Sequence, residues 1–406
     1  MSAQPPAELS LEESLQHATR FAPEHAALNA RRLATTTALN QVSRLQNPTL
    51  ETEIEELRFS GRESGLGQAE YTATIAQPLP LPGAVRLQKE NLKQEAMANQ
   101  ALAAQLSRNL RTQTLNRYFD LLADQERVAV RQAEFELAEQ VAAIAGRKVK
   151  AGKVAPLEAK KAELQVVRAR LALDEAQRSR HINGAALLAI WGATATHPPR
   201  LTSPWPGENL SPPTGKGSWR THPDLSLMDA RIGQAETARD LAKKQRFGEP
   251  AVTLGRRWQS ESTENSFLLG FSVTLPLWRR NRVARAYAQS EIAEQTATRQ
   301  RKSRDLQQAW QNTLTRLDQV TTRLSATNEE LLPAARHLFE ATVKGYRQGK
   351  FTYLDVLEAQ RALFHLESAL IDDQRERVNL LIASEYLSGK HFLTEPAETP
   401  SQGDAP

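Results

Sequence analysis

The stretch Tyr346-Arg347-Gln348-Gly349-Lys350-Phe351-Thr352-Tyr353-Leu354-Asp355 decides the fold of this chain. A long helical pattern ends at Gly349, and glycine readily adopts the left-handed conformation that closes a helix. Beyond a short turn the helical pattern resumes. Its apolar residues recur every seven positions, at Leu357, Phe364, Ile371 and Val378. Because such a heptad is typical of a coiled-coil seam, the stretch predicts the tip of a helical hairpin.

A second stretch of the same kind lies earlier in the chain, at Gly152-Lys153-Val154-Ala155-Pro156-Leu157-Glu158. Its proline suits the first turn of a returning helix. The heptad of that helix consists of Leu157, Leu164 and Leu171. Gly152 and Gly349 are 197 residues apart. The residues that match at this offset are Lys153 with Lys350 and Glu158 with Asp355. The chain is therefore predicted to be a tandem repeat of long helical hairpins.

The composition narrows the class of protein. Charged residues make up 24% of the 406 residues and aromatic residues 6%, as is typical of long, solvated helices. The net charge of +5 is spread along the helices, so no nucleic-acid partner is predicted. The absence of cysteine excludes disulfides and thiol chemistry. No apolar run approaches the roughly 20 residues of a membrane helix. The N-terminus lacks a basic n-region and an apolar h-region, so any signal peptide is expected to have been removed or never to have existed.

The repeat organises the chain into two similar parts. The first repeat covers residues 9–191 and the second covers residues 221–390. The linker between them, residues 192–220, carries six prolines, so no regular element is expected there. The polar ends, residues 1–8 and 391–406, are predicted to be disordered.

Each repeat also contains two segments of strand length, at 49–60 and 68–77 and again at 251–260 and 266–277. Apolar and polar residues alternate along them, as in two-faced strands. A tilted transmembrane strand needs about 9–11 residues, and single-chain barrels start at about eight strands. Three chains would supply twelve strands and leave no exposed edge. Arg256 falls on the lipid face of such a sheet, which requires a bulge or an interfacial position. The alternative is a small soluble sheet that caps a helical bundle.

The order of helix, strand pair and hairpin, repeated about a Pro-rich middle, resembles the TolC-type outer-membrane efflux proteins over residues 10–390. The most specific marks are Tyr346-x-x-Gly349-x-x-Thr352-x-x-Asp355-Val356-Leu357 and Gly152-x-Val154-Ala155-x-x-Glu158. Within that family, Asn47-Pro48-Thr49-Leu50 and Gln77-Pro78 are similar to the cobalt-zinc-cadmium resistance branch.

This resemblance implies a mainly α fold with a small β part. Four transmembrane strands per chain would form a trimeric 12-stranded β-barrel continuous with an α-helical barrel. The implied function is a passive exit duct in the outer membrane of a Gram-negative bacterium. Its implied partners are a periplasmic adaptor and an inner-membrane RND-type pump, and heavy-metal cations are the cargo that the branch suggests. The alternative function is a soluble coiled-coil scaffold or interaction protein.

Neither function needs a cofactor, and the sequence does not predict an enzyme. The eight histidines lack the spacing of a zinc site on one helix turn. The sequence also lacks a phosphate-binding glycine loop and a nucleophile elbow. No metal site is predicted.

The exposed tips are the first candidate site, because loop residues with few internal contacts are free to recognise a partner. The predicted adaptor-contacting rim consists of Gly152, Lys153, Val154, Gly349, Lys350 and Phe351. Alternatively, the glycines only end helices. The candidate periplasmic gate consists of Glu158, Asp355 and Arg347. The family prototype has a basic residue where this chain has Phe351, so either Lys350 supplies the cation or packing alone holds the gate.

The strands carry two further candidate sites. Turning the apolar side of the first strand to lipid predicts an acidic ring in the lumen, formed by Glu51, Glu53, Glu55 and Glu70. Alternatively, these glutamates face water at the outer mouth, and Arg257 partly offsets them. The predicted periplasmic membrane boundary, which meets lipid headgroups, consists of Trp278, Arg279, Arg280 and Arg282. The alternative there is a basic helix start, although cations oppose the helix macrodipole at that end.

Overall fold

A computed structural model describes residues 7–21, 24–55, 69–207, 210, 218–259, 265–275, 277 and 281–394. The chain divides into two compact units. One unit consists of Met1–Glu24, Gln105–His222 and Arg304–Pro406, and the other consists of His25–Ala104 and Pro223–Ser303. Within the described part of the chain, no helix is both long and apolar enough to cross a lipid bilayer.

Among its described residues, the first repeat contains four helices and three strands. In chain order these are β1 (Glu8–Leu9), α1 (Leu11–Phe21), α2 (Glu24–Gln41), β2 (Thr49–Glu55), β3 (Glu70–Pro78), α3 (Ala84–Lys150) and α4 (Pro156–Ala189). The 67 residues of α3 are rich in Ala, Leu, Gln, Glu and Arg, which are strong helix formers. Pro156 occupies the first turn of α4, where its missing N–H costs no hydrogen bond.

The second repeat again runs from a helical segment through a strand pair to a helical hairpin. After β4 (Arg200–Leu201) and a 3₁₀ turn at Ser218–Thr221 come α5 (Pro223–Lys244), β5 (Ala251–Gln259), β6 (Asn265–Ser272), α6 (Arg282–Ala326), α7 (Leu332–Gln348) and α8 (Tyr353–Ser388). A π-helical turn, Thr327–Leu331, joins α6 to α7. There the N–H of Leu332 donates to the carbonyl of Thr327. Pro333 has no N–H with which to continue a regular helical ladder, which favours the irregular turn.

Four strands form an antiparallel sheet in the order β2-β3-β5-β6. Leu50, Ile75, Leu254 and Leu269 stand in one row across it. The described strands differ in length from the predicted segments. Residues 56–60 and 260 lie outside the described residues, and β6 ends at Ser272 rather than at 277. The pairing of β5 with β6 is continuous past Arg256, so no bulge accommodates that residue. Instead, its guanidinium donates to Asn265 Oδ1 (2.9 Å) at the start of β6.

The core of the first unit packs α1, α3, α4 and α8 together with β1 and β4. Tyr118, Phe119, Leu187 and Ile382 are among its fully buried side chains. Burying each large apolar side chain in this way stabilises the fold by roughly 1.5–3 kcal/mol relative to leaving it exposed. The hydroxyl of Tyr118 also accepts a hydrogen bond from the N–H of Ser203 (3.1 Å), which fastens the linker to α3.

Two predictions about irregular segments are wrong. The linker contains a regular element, because Arg200–Leu201 pairs in parallel with Glu8–Leu9, and Glu8 therefore does not belong to a disordered end. The buried guanidinium of Arg377 donates to the carbonyls of Pro206, Gly207 and Leu210, which holds the next part of the linker.

The C-terminal end is also ordered further than the sequence predicts. The N–H of Leu393 donates to the carboxylate of Glu385 (2.7 Å), and the same carboxylate binds the guanidinium of Arg111 through two hydrogen bonds. These bonds hold residues 391–394 against α3 and α8, whereas residues 395–406 lie outside the described residues.

The heptad of α8 packs inside the first unit, but that of α4 does not. Phe364, Ile371 and Val378 of α8 are buried. In α4, Leu157, Leu164 and Leu171 are 64, 52 and 63% exposed. Instead, Ala162 of α4 is buried in one cluster with Ile144 and Ala145 of α3. The seven-residue spacing identifies an apolar stripe on α4, and this stripe is exposed within the single chain.

Candidate functional site

At the first hairpin tip, α3 ends with two backbone hydrogen bonds that run back from the turn to carbonyls near the end of the helix. Gly152 has φ = +68°, a left-handed backbone conformation that residues with a Cβ rarely adopt. Its N–H donates to the carbonyl of Val149 (2.9 Å), and the N–H of Lys153 donates to the carbonyl of Lys148 (2.9 Å). This is a Schellman motif, which satisfies carbonyls that a helix end would leave unpaired.

The second tip repeats this geometry residue for residue. Gly349 has φ = +83°. Its N–H donates to the carbonyl of Tyr346 (3.0 Å), and the N–H of Lys350 donates to the carbonyl of Gly345 (2.8 Å). All four positions lie 197 residues after their counterparts in the first tip. The two tips are thus structural equivalents, as the sequence repeat predicts.

The two tips start their returning helices differently. Ala155, the N-cap of α4, forms no side-chain cap. Thr352, the N-cap of α8, forms a full capping box with Asp355: its N–H donates to Asp355 Oδ2 (2.7 Å), and its Oγ1 accepts from the Asp355 N–H (3.3 Å). The bond from the Thr352 N–H lowers the pKa of Asp355. The Asp355 carboxylate therefore serves as a helix cap, a role that the gate hypothesis does not include.

A cleft of about 820 Å³ opens between the tips and is lined by Glu158 and Arg347, two of the three candidate gate residues. Glu158 Oε2 is buried and makes no hydrogen bond within the described residues. Arg347 is exposed and forms no ion pair in the described part of the chain. The structure therefore brings Glu158 and Arg347 to one cleft but does not pair their charges.

Tyr346 is the residue at this cleft that the gate hypothesis missed. Its side chain is only 1% exposed, and its hydroxyl, like Glu158 Oε2, lacks a hydrogen-bond partner among the described residues. Burial and the nearby charge of Glu158 raise the pKa of Tyr346, so the phenol stays protonated. The Nζ of Lys148 lies over the Tyr346 ring and donates to its carbonyl oxygen. The sequence signal that could have identified Tyr346 as a cleft residue is the spacing Tyr346-x-x-Gly349, because it places the tyrosine one turn before the helix end.

Phe351 packs against its own hairpin while remaining 48% exposed. A Cβ built on Gly345 would lie 2.2 Å from the Phe351 ring, so only glycine at that position leaves room for it. Lys153 and Lys350 are exposed beside it, and Val154 is half-buried. The predicted rim is therefore an accessible surface with one apolar ring among cations.

On the sheet, the four predicted acidic residues share the polar face. The pairing sets Glu51 opposite Thr74, Glu53 opposite Thr72 and Glu55 opposite Glu70. Arg257 lies on the same face and contacts Glu70 (3.0 Å) and Glu55 (3.6 Å). Glu51 and Glu53 form no ion pair within the described residues, so the acidic charge that remains uncompensated is concentrated on these two side chains.

The opposite face of the sheet is apolar and open to its surroundings. Phe267, Leu269 and Phe271 of β6 are 88, 79 and 69% exposed. Exposed apolar surface on this scale is unusual unless a partner or a membrane covers it. At the predicted membrane boundary, Trp278, Arg279 and Arg280 lie outside the described residues, whereas Arg282 is exposed at the start of α6.

Among the described residues, no three His, Cys, Asp or Glu side chains are grouped so that they could hold a metal ion.

Comparison with known proteins identifies the family. Residues 15–193 and 220–387 match the profile described as "Outer membrane efflux protein". The chain belongs to the outer membrane efflux protein family. The predicted resemblance to TolC-type efflux proteins is confirmed, and so is the interpretation of the chain as a transport component rather than an enzyme.

Individual relatives agree with the family match. Over 330 residues the chain is 28% identical to the cobalt-zinc-cadmium resistance protein CzcC of Cupriavidus metallidurans, covering 79% of this chain and 75% of CzcC. It is 26% identical to the nickel-cobalt-cadmium resistance protein NccC of Alcaligenes xylosoxydans over 58% of this chain and 54% of NccC. Among solved structures, CusC matches with a TM-score of 0.81 at 15% identity, covering 93% of this chain and 91% of CusC. The predicted similarity to the cobalt-zinc-cadmium branch is thus confirmed.

Proposed function

We propose that this efflux protein is the exit duct of a tripartite system and assembles as a trimer in the outer membrane of a Gram-negative bacterium. The observation that carries the proposal is the four-stranded sheet, which has one exposed apolar face, one polar face and open edges at β2 and β6. β2 and β6 run in opposite directions. Three copies can therefore join edge to edge in antiparallel pairing, so that twelve strands close without an exposed edge.

The cargo that fits the polar face is a cation. Carboxylates around a pore attract cations and repel anions. Glu51 and Glu53 have no compensating cation within the described residues, and a trimer would place six such groups around one lumen. The relatives CzcC and NccC are named for resistance to cobalt, zinc, nickel and cadmium. Hydrated heavy-metal cations are therefore the proposed cargo, and they pass through without a fixed site.

The tips are the proposed docking surface for a periplasmic adaptor, which couples the duct to an inner-membrane RND-type pump. The two tips present the same backbone geometry 197 residues apart. A trimer would display six similar tips in a ring, alternating Val154 with Phe351 as the apolar contact. Glu158, Tyr346 and Arg347 line the cleft behind this ring and form the proposed gate.

A matched pair of variants on β6 tests the membrane placement. Leu269 belongs to the exposed apolar face, and Leu268 points to the polar face. In the trimer, Leu269→Arg would place a cation in lipid at a cost of about 2–4 kcal/mol near the midplane, whereas Leu268→Arg would place it in the lumen. We expect Leu269→Arg to reduce recovery of the protein in the outer-membrane fraction, and Leu268→Arg to leave that recovery unchanged.

Purified protein in planar bilayers provides the functional measurement. We expect stepwise conductance and a cross-linked trimer from the wild type and from Leu268→Arg. Equal fractionation of the two variants would contradict the assignment of the faces. A wild-type protein that stays in the soluble fraction and conducts nothing would instead identify a soluble scaffold.

A further inference from the structure

A basic cleft of about 500 Å³ lies at the end of the sheet where the strands give way to helices. Its lining combines four cations with three apolar residues, namely Lys243, Lys244, Arg246, Arg285, Leu81, Pro82 and Phe247. These residues come from the turn before α3, the end of α5 and the first turn of α6, all within one compact unit. The cleft is distinct from the tips and from the polar face of the sheet.

Asn281 brings two of these segments together. It has φ = +54°, a left-handed conformation that asparagine tolerates better than most residues. Its side-chain amide donates to the carbonyl of Ala242 at the end of α5 (3.3 Å), and its own carbonyl accepts from the N–H of Arg285 (3.2 Å). The start of α6 is thus fixed beside the end of α5, which concentrates the cations in one place.

The cations of the cleft are poorly compensated. Lys243 lies 3.6 Å from Asp240, a carboxylate that Arg239 also binds. Lys244, Arg246 and Arg285 form no ion pair with any described residue. Arg285 also lies in the first turn of α6, where the helix macrodipole disfavours a cation. An anion from outside the chain would relieve both kinds of repulsion.

The residues around the cleft indicate which class of molecule supplies this anion. The guanidinium of Arg246 lies 4.7 Å from the ring centroid of Phe247, which is itself exposed. Val283 and Tyr287, in the first turns of α6, are 69 and 74% exposed. Exposed aromatic and apolar residues beside lysine and arginine are typical of a membrane interface. A ligand that is both anionic and apolar matches this combination better than a free ion does.

We propose that this cleft binds the headgroup phosphate of an anionic phospholipid, with the acyl chains running along the apolar face of the sheet. Basic pockets at membrane boundaries recognise such headgroups through the same groups. The inference rests on the proposed placement of the sheet in the membrane. It goes beyond that placement by assigning a lipid site to named residues.

Native mass spectrometry of the detergent-solubilised protein tests the site. The probes are dioleoyl phosphatidylglycerol, dioleoyl phosphatidylcholine and inorganic phosphate. The test variant carries Lys244→Gln, Arg246→Gln and Arg285→Gln. The control carries Arg301→Gln, Arg304→Gln and Arg316→Gln, three exposed α6 positions with the same change in net charge. Planar-bilayer conductance of each variant is measured in parallel.

We expect the wild type and the control to retain phosphatidylglycerol in preference to phosphatidylcholine, and the test variant to lose that preference by at least about tenfold. An unchanged preference in the test variant, or equal retention of both lipids by the wild type, would overturn the proposal. Displacement of phosphatidylglycerol by an equal concentration of inorganic phosphate would show a free-phosphate site and overturn the lipid assignment. If the wild type conducts but shows no lipid preference, only the cleft proposal fails. If it does not conduct, the proposed function fails.

Discussion

The ammonium group of Lys148 lies 3.8 Å from the ring centroid of Tyr346 and donates a hydrogen bond to the carbonyl of the same residue. This double contact joins the end of α3 to the end of α7, and therefore one hairpin tip to the other. Cation–π contacts contribute about 0.5–2 kcal/mol, depending on how far the cation is removed from water. Lys148 is thus a polar connection across the cleft that Glu158 and Arg347 line.

Replacing Lys148 by methionine should loosen the two tips. Methionine keeps the apolar stem but removes the charge and the donor, so we expect faster protease cleavage at the tips and more frequent channel opening in planar bilayers. Lys150→Met is the control, because Lys150 is exposed two residues further along α3 and forms no ion pair or side-chain hydrogen bond with the described residues. Equal cleavage rates in the two variants would contradict a role for Lys148 in holding the tips.

Replacing Gly152 or Gly349 by valine should abolish export while leaving assembly and membrane insertion intact. Both positions require positive φ, and both lie on the proposed adaptor-contacting rim. Gly192→Val is a matched control, because Gly192 also has positive φ (+73°) and open space around it but follows α4 far from the tips. The measurement is metal resistance of cells, together with the amount of protein in the outer membrane. Normal resistance in both tip variants, or an equal loss in the control, would count against a docking role.

The tips were the most predictable part of the molecule. Glycine at a helix end, proline at a helix start and an apolar heptad each act locally, so Gly152, Pro156 and Gly349 could be read correctly from the sequence. The surface against which an apolar stripe packs is not determined by the local sequence. The exposed Leu164 shows this, since its spacing fits a seam but the seam of α4 uses Ala162.

Thr352→Ala should destabilise the second tip by about 1 kcal/mol, the usual cost of losing a helix cap. The effect should depend on pH, because the Thr352 hydroxyl, which alanine lacks, also donates to Asp355 Oδ2 (2.8 Å). Because the folded pKa of Asp355 is lowered, the stability from the capping box is fully present above the pKa of an unfolded aspartate, about 3.9. That stability is lost as the pH falls through the lowered pKa. Hydrogen exchange of the first turn of α8 at pH 7 and at low pH measures both effects. A difference between variant and wild type that persists unchanged at low pH would contradict this account.

The first tip allows the opposite test. Ala155 is an uncapped N-cap with φ = −69° and ψ = 146°, and Glu158 lies three residues later. Ala155→Thr therefore supplies the missing half of a capping box, and we expect the start of α4 to gain about 1 kcal/mol of protection in hydrogen exchange. Ala155→Val, similar in shape but without a hydroxyl, is the control. A gain of the same size in both variants would assign the effect to side-chain shape rather than to capping.

The faces of the sheet could be predicted because strand alternation is strict, which put Glu51, Glu53, Glu55 and Glu70 on one side. Arg257 was expected to offset part of this charge, but the glutamates with which it pairs could not be predicted in the same way. Strand order is a long-range property, and only the β3–β5 pairing brings Arg257 beside Glu70. Likewise, the cleft at Arg246 and Arg285 depends on a single left-handed residue, Asn281, for which the sequence carries no distinctive signal.

The pairing by Arg257 leads to a graded prediction for ion selectivity. Glu51→Gln with Glu53→Gln removes the two uncompensated carboxylates, so we expect a large fall in the cation/anion permeability ratio of single channels. Glu55→Gln with Glu70→Gln changes the formal charge by the same amount. Removing these two carboxylates leaves Arg257 as an unpaired cation. Its charge lies close to the end of the strands, where screening by water and salt is greatest. The fall should therefore be smaller. Arg257→Gln should raise the ratio, because it frees Glu55 and Glu70.

Reversal potentials in a salt gradient measure all three variants against the wild type. Identical ratios throughout would mean that the polar face does not line the conduction path. An equal fall in the two glutamate pairs would mean that charges near the strand ends are not screened more strongly than Glu51 and Glu53. An unchanged ratio in Arg257→Gln would mean that Arg257 does not set the effective charge of this face.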